Sequence, residues 1–326
     1  MCYCQRRDIK ISELRRIVGN ELLELFSNKL ACYDYTAALL DVDVLLMHLL
    51  KVSRVWILSN GDLSFDDIQK TGRFIKERFV SQVDLQKEFF ELIEKRKTGL
   101  PVAYIINNKE FFGLDFYVDQ SVLIPKPDTE TLVELAIQKA LKLLENNFKH
   151  DKTQPLRILD LCTGSGCVGI AVANELTHKN ADLKVEFTFV DISKDALLVS
   201  QKNAKVLIPD VVTNFVVSDL RLNIPKGFDL ILCNPPYVPT DEAKSLLTDG
   251  RSEPLLALDG GKDGLELFYP LADAVFNSLY SGGAFFIEAA DYNIDKAKSI
   301  FKKRGFVDLK IYKDLAGKKR VLYGVK

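Results

Sequence analysis

Asn234-Pro235-Pro236-Tyr237 combines the residue types needed to hold a flat group by two N–H bonds. The prolines fix φ and have no backbone N–H, so the stretch presents carbonyl acceptors without competing donors. Asn234 precedes a proline and is therefore pushed to an extended backbone. Its side-chain carbonyl stands beside the Pro235 backbone carbonyl. Two adjacent acceptors suit a planar NH2, either a carboxamide or an exocyclic base amine, and Tyr237 can cover its flat face. Alone, Asn-Pro-Pro also reads as a turn closing a strand.

Gly164-Ser165-Gly166-Cys167-Val168-Gly169 is formally G-x-G-x-x-G, where glycines allow tight turning and close approach of a ligand to backbone. Asp191 follows Gly166 by 25 positions, at the next predicted strand end, where a carboxylate can accept from both ribose hydroxyls. The pattern fits a dinucleotide and an S-adenosyl ligand equally. Asp160, Asp191 and Asp219 all fall at or near strand carboxyl ends, the ligand crevice of an open α/β sheet. Asp160 is close enough to the loop to meet a ligand ammonium. Asp219 and the backbone after it can meet an adenine amine, or simply end a turn.

The Asn-Pro-Pro-Tyr stretch separates the two cofactors. Hydride transfer has no use for it, whereas methyl transfer to an NH2 does. An amide nitrogen is a weak nucleophile because its lone pair is delocalised, while a sulfonium methyl is a strong electrophile, so the protein mainly has to orient the nitrogen. Orientation can supply several kcal/mol, with about 7–11 as the ceiling. Neither a metal nor a strong general base is required.

These residues need strand ends to position them. Arg157 to Leu161, Val185 to Val190, Thr213 to Val217, Phe228 to Cys233 and Ala284 to Ala289 read as strands. Helices are expected over Val168–Leu176, Asp195–Lys205, Leu265–Leu279 and Ile294–Arg304, with Val307–Tyr312 and Lys319–Tyr323 as late strands. The alternation predicts a mainly parallel α/β sheet. Upstream, Asp128 or Thr129 can cap a helix through Leu144, and residues 145–154 read as a polar loop. Val102–Ile106 and Phe111–Val118, separated by Asn107-Asn108, predict a β-hairpin. Residues 10–97 read as a small helical bundle. It comprises a helix from Ile11 with Ser12 as cap, a second capped by Asp34 or Thr36 and running to Leu50, and a long amphipathic stretch from Asp66 to Lys97 with Phe74, Ile75 and Phe79 inward.

The 326 residues are 47% hydrophobic and 27% charged with net charge −1, an ordinary balance for a globular chain with a substantial core. Residues 1–100 hold 16 Lys/Arg and 15 Asp/Glu. That near-neutrality makes the bundle a poor nucleic-acid clamp and suits protein docking better. No apolar run reaches the ~18 residues of a membrane helix, and no signal peptide is evident, so a soluble cytoplasmic protein is expected. Cys2, Cys4, Cys32, Cys162, Cys167 and Cys233 lack metal-site spacing and read as reduced thiols.

Taken in order, the motifs resemble the HemK/PrmC family of release-factor glutamine methyltransferases. Leu123-Ile124-Pro125-Lys126-Pro127-Asp128-Thr129-Glu130 resembles the entry to that family's catalytic domain, and Asp160 to Gly166 its cofactor loop. Asn234 to Tyr237 matches its substrate motif. Glu253-Pro254, Ala257-Leu258 and Gly260 to Leu265 resemble the block after it, and Asp314-Leu315-Ala316-Gly317 with Arg320 the closing segment. Lys126 stands where the family usually has arginine, which predicts loss of a bidentate contact. Leu220 replaces an aromatic found in some members, and Ala289-Ala290-Asp291 departs from the usual strand ending.

The resemblance implies a seven-stranded, doubly wound, Rossmann-like methyltransferase domain over residues 125–326. A release-factor-docking helical bundle over residues 1–100 and a hairpin linker over 101–124 would precede it. It implies S-adenosylmethionine as cofactor and class 1 peptide chain release factors as partners, with neither membrane nor nucleic acid required. Asn234, Pro235 and Tyr237 would be catalytic, and Asn234, Pro235, Pro236 and Tyr237 would bind substrate. Asp160, Cys162, Thr163, Gly164, Ser165, Gly166, Asp191, Ile192, Asp219, Leu220 and Asn234 would bind cofactor. The rivals are a nucleic-acid exocyclic-amine methyltransferase, an NAD-binding oxidoreductase and a catalytically silent docking protein.

Overall fold

The computed structural model describes residues 8–30, 33–71, 84–145, 154–179, 183–221, 224–248 and 252–326. The chain divides into two compact units, Met1–Asn107 with Leu246–Ser252, and Asn108–Ser245 with Glu253–Lys326. The expected helical positions Phe74, Ile75 and Phe79, most of the 145–154 loop, and Cys2, Cys4 and Cys32 lie outside the described residues.

The first unit contains α1 (Ile11–Phe26), α2 (Tyr35–Leu50), α3 (Arg54–Ser59), α4 (Phe65–Thr71), α5 (Leu85–Lys97) and α6 (Val102–Ile106). Leu14, Val18, Leu22 and Phe26 line the buried face of α1 and pack with Val42, Leu45, Leu46 and Leu49 of α2 in one core. Asp34 caps α2, accepting from Ala37 N at 2.8 Å. Lys10, not Ser12, stands at the N-cap of α1. Asp43 is fully buried in this core and is paired by Arg15 and Arg54.

Residues 102–106 correct the sequence expectation. They form a helix rather than a strand, with Pro101 ahead of the first turn and Asn107 ending it at φ 52°. Burial of Tyr104 and Ile105 outweighs the strand preference of this β-branched run. The hairpin is the shorter pair β1 (Lys109–Phe111) and β2 (Leu114–Phe116), turning at Phe112-Gly113, both at positive φ.

After a 3-10 turn at Pro127–Thr129, the second unit continues through α7 (Glu130–Glu145), β3 (Leu156–Leu161), α8 (Cys167–Lys179), β4 (Val185–Asp191) and α9 (Lys194–Leu207). Then come β5 (Val212–Val217), β6 (Phe228–Cys233), α10 (Thr240–Thr248), α11 (Phe268–Ser278), β7 (Leu279–Glu288), α12 (Ile294–Arg304), β8 (Val307–Lys313) and β9 (Lys319–Val325). Two differences from the sequence reading stand out. Gly282-Gly283 lies inside β7 rather than before it, and α10 is a helix that the sequence reading did not identify.

The sheet order is β5-β4-β3-β6-β7-β9-β8. The first five strands run parallel, while β9 is antiparallel to both β7 and β8. The chain leaves β3 towards β4 and β5, then returns to place β6 on the other side of β3. That reversal opens the crevice where such sheets bind ligands. Leu159, Leu161, Ile231, Cys233, Phe285 and Ile287 project to one face and pack against Phe268, Leu271, Val275, Ile294 and Phe301. The Phe285 ring centre lies 4.7 Å from that of Phe301, tilted, and 4.8 Å from that of Phe306, edge to face. Phe285→Ala is expected to lower the unfolding free energy by about 3–5 kcal/mol, read from urea denaturation.

Candidate active site

The carboxyl ends of β3, β4 and β6 meet at a cavity of about 380 Å³. Its lining includes Asp160, Cys162, Thr163, Gly164 and Ser165 from the β3 end, and Asp191 and Ile192 from the β4 end. Asp219 and Leu220 after β5, and Asn234 and Pro236 after β6, complete the ring. Gly166 turns the loop behind this wall at φ 81°. Pro235 and Tyr237 are not in the lining; Tyr237 packs on the core below.

The glycine loop is shaped from the backbone. Cys162 takes φ 54°, a left-handed conformation that non-glycine residues rarely adopt, and so turns the chain sharply off β3. Gly164 is also at positive φ, with nothing within 4 Å of where a Cβ would be, so a ligand can approach its backbone. Gly169 is close-packed instead: a Cβ there would lie 2.6 Å from the Phe189 ring and 3.0 Å from Asp160 Oδ2. Asn203 braces the loop from α9, donating to Ser165 O at 2.9 Å while pairing with both backbone groups of Tyr117.

A buried acid, Asp160, and a part-buried one, Asp191, face the cavity. Asp160 Oδ2 accepts from Thr163 Oγ1 at 2.7 Å and Gly169 N at 3.1 Å. Burial raises its pKa to about 7, with the Asp191 charge adding to the rise. Asp191 accepts from Gly164 N and Ser193 N, each at 2.9 Å, and burial raises its pKa too. Among the described residues neither carboxylate meets a cation. A pair of carboxylates flanked by Val122, Ile192 and Leu220 fits a ligand with an ammonium, hydroxyls and a flat apolar portion. Burial pushes the Cys167 thiol up to about 12 and raises Cys233 as well, so both sulfurs stay protonated and unreactive near neutrality.

Residues 234–238 are clamped from the other side. Val238 N donates to Leu258 O at 2.9 Å and Val238 O accepts from Gly260 N at 2.8 Å. A Cβ on Gly260 would lie 2.9 Å from Pro236 O, and one on Gly264 would run into the Tyr237 carbonyl. Asn293 Nδ2 donates to that same carbonyl at 3.3 Å. The Tyr237 hydroxyl donates to Glu288 Oε1 at 2.8 Å, and Asn234 Nδ2 donates to Thr129 Oγ1 at 3.2 Å.

Lys126 contacts both oxygens of the buried Glu253 at 2.9 Å. The expected loss of a two-oxygen contact is therefore offset by one ammonium straddling the carboxylate. Glu253 Oε1 also accepts from Ile124 N at 3.1 Å, joining the two blocks on either side of the cavity mouth.

Two family models match the chain, the PrmC N-terminal domain over residues 21–106 and the Methyltransferase small domain over residues 134–250. A release factor glutamine methyltransferase of Clostridium acetobutylicum is 32% identical over 88% of this chain and 90% of its own length. The chain belongs to the release factor glutamine methyltransferase family. The Leptospira interrogans member is 34% identical over 88% of this chain and 91% of its own. Among solved structures, the ribosomal protein L11 methylase of Lactobacillus delbrueckii subsp. bulgaricus is 19% identical, covering 64% of this chain and 83% of that one, with a TM-score of 0.43.

Sequence reasoning missed several residues that shape this family member's site. Thr129 reads as a helix cap and Glu288 as a strand end, yet both reach the Asn234–Tyr237 stretch. Pro254, Leu256 and Ala257 line the cavity, and their place in a block resembling the family was the available signal. Asn203 had none, being one polar residue on an amphipathic helix. Gly264→Ala is expected to displace the Tyr237 carbonyl and lower turnover at least tenfold, while the far-ultraviolet circular dichroism stays native.

Proposed function

We propose that this chain methylates the side-chain amide nitrogen of the glutamine in the Gly-Gly-Gln motif of class 1 peptide chain release factors, using S-adenosylmethionine. The observation behind this reading is the Asn234–Tyr237 stretch, clamped at the mouth of a cavity lined by Asp160 and Asp191, which meet no cation among the described residues. The names of the relatives supply the substrate class.

When bound, S-adenosylmethionine supplies an electrophilic methyl group on a sulfonium. Asp160 would hold its ammonium, Asp191 its ribose hydroxyls, and Asp219 with the adjoining backbone its adenine amine. Cys162, Thr163, Gly164, Ser165 and Gly166 would shape the loop around it, with Ile192 and Leu220 as apolar walls. Asn234 Oδ1 and the Pro235 carbonyl would each accept one N–H of the glutamine amide. Holding both hydrogens stops rotation of the NH2 and favours localisation of the lone pair on the nitrogen. Pro236 keeps a competing backbone N–H out of the site. Tyr237 would act through its anchored hydroxyl, keeping this backbone in place. The helical unit would dock the release factor, and no helix among the described residues is long and apolar enough to cross a membrane.

Methyl transfer from labelled S-adenosylmethionine tests the reading. Purified release factor should accept label, and the factor with its Gly-Gly-Gln glutamine replaced should not. Label on bulk RNA or DNA, with none on the factor, would overturn it. Within that assay, Asn234→Ala should lower kcat by roughly 10²–10³, as for loss of one transition-state hydrogen bond, with S-adenosylhomocysteine affinity within about threefold of native.

Asp160 gives a pH signature. Its pKa, raised from 3.8 to about 7, leaves the carboxyl protonated in the free protein below neutrality. Pairing with an ammonium requires the anion. Calorimetric affinity for S-adenosylhomocysteine should thus fall as pH drops below about 7, approaching tenfold per unit, and Asp160→Asn should flatten that slope. In the free protein the sign is opposite. Because the folded pKa lies above the unfolded one, the stability this group contributes is present at low pH and lost as pH rises through about 7.

A further inference from the structure

An asparagine can serve as the amide acceptor proposed above only if its oxygen faces the substrate. The two ends of a carboxamide are alike in shape and opposite in function. A flip of Asn234 would turn its own NH2 towards the glutamine NH2 and replace attraction with repulsion. Something in the fold must therefore decide which end faces the cavity.

Asn234 Nδ2 donates to Thr129 Oγ1 at 3.2 Å. Thr129 is 1% exposed and sits on the 3-10 turn Pro127–Thr129. A hydroxyl could accept from an amide nitrogen or donate to an amide oxygen, so Thr129 alone does not set the direction. Glu288 does. It is 1% exposed, at the end of β7, and its Oε1 accepts from the Tyr237 hydroxyl at 2.8 Å. Its Oε2 is buried with no hydrogen-bond partner. The Thr129 hydroxyl lies near enough to this carboxylate to oppose the rise in pKa that burial imposes. A buried carboxylate oxygen short of a donor draws the nearest rotatable hydroxyl hydrogen, because leaving the acceptor unmet is costly.

A Thr129 hydroxyl that turns its only hydrogen to Glu288 can do nothing but accept from Asn234. The Nδ2 end is held inward and Oδ1 is left for the substrate. Arg320 stabilises the anionic arrangement. It pairs with Asp314 at 3.1 Å and with Asp128, the neighbour of Thr129, at 3.0 Å, and it lies close enough to Tyr237 and Glu288 to act on both.

We propose that Thr129 and Glu288 are positioning residues that fix the direction of the Asn234 carboxamide through a one-way relay of hydrogen bonds. Glu288 thereby secures both ends of the motif, Tyr237 directly and Asn234 through Thr129. This inference rests on the methyl-transfer reading, since only an amide or amine substrate needs the oxygen end of Asn234.

The test is a double-mutant cycle on the full chain, with release factor and S-adenosylmethionine as substrates and S-adenosylhomocysteine binding by calorimetry as the check on folding. Thr129→Val keeps the shape and removes the hydroxyl. It should lower kcat about tenfold, the worth of one oriented hydrogen bond, with S-adenosylhomocysteine affinity within about twofold. Thr129→Ser should restore most of the turnover. Glu288→Gln, which offers one acceptor to two hydroxyls, should fall in the same direction as Thr129→Val. In an Asn234→Ala background, Thr129→Val should cost less than about twofold, because the group it orients is gone. An equal loss in both backgrounds, or a serine variant no better than valine, would overturn the relay and leave Thr129 a packing residue. An unsubstituted enzyme that labels no release factor would remove the methyl-transfer reading and this inference with it. A fully active Thr129→Val removes the inference alone.

Discussion

The backbone of Asn234 to Val238 is held on both sides at the end of the central strand β6, and the rest of the site depends on that restraint. β6 is buried along its whole length between β3 and β7, so its end cannot drift. Val238 forms a short parallel bridge with Asp259, which returns the chain alongside the motif. Gly260 and Gly264 let that returning loop approach more closely than any side chain would allow. Prolines that cannot hydrogen-bond through nitrogen thus gain their order from neighbours. A preset pair of acceptors costs little reorganisation when substrate arrives, and orientation chemistry requires this.

The cavity on the other side of that stretch follows a different electrostatic logic. Asp160 is buried and Asp191 part-buried, neither beside a cation among the described residues, and burial raises both pKa values. A ligand bearing an ammonium and hydroxyls relieves that penalty on binding. Acids so placed would favour a ligand with charge and hydroxyl groups, and the apolar walls would accept a ring. Lys126, Glu253 and Arg320 by contrast form closed ion pairs that fasten loops to one another. The same residue types thus serve two ends, told apart by whether the charge is already met.

Much of this was legible in the sequence, for identifiable reasons. The strands β3, β4 and β6 are short apolar runs that carry Asp160, Asp191 and Asn234-Pro235 at or just beside their carboxyl ends, and strand ends are where sheet ligands bind. The order of motifs resembled one family along most of the chain. The hairpin was misplaced because residues 102–106 have strand-like composition but helical packing, and Asn107 ends a helix rather than making the turn. Thr129, Glu288 and Asn203 were not legible as site residues. Their partners lie 105, 51 and 86 positions away, and contacts at that range depend on tertiary packing rather than local pattern. The mix of acceptors and glycines announced the chemistry, and the buried polar residues that brace it announced nothing.

The central claim is that both amide hydrogens of one glutamine are held by Asn234 and Pro235. Proton–nitrogen spectra of a release factor with nitrogen-15-labelled glutamine side chains, bound to this protein and S-adenosylhomocysteine, address it directly. The account predicts that both amide protons of the Gly-Gly-Gln glutamine shift downfield and exchange slowly with solvent. A glutamine amide whose two protons keep their free shifts and exchange rates in the complex would contradict it.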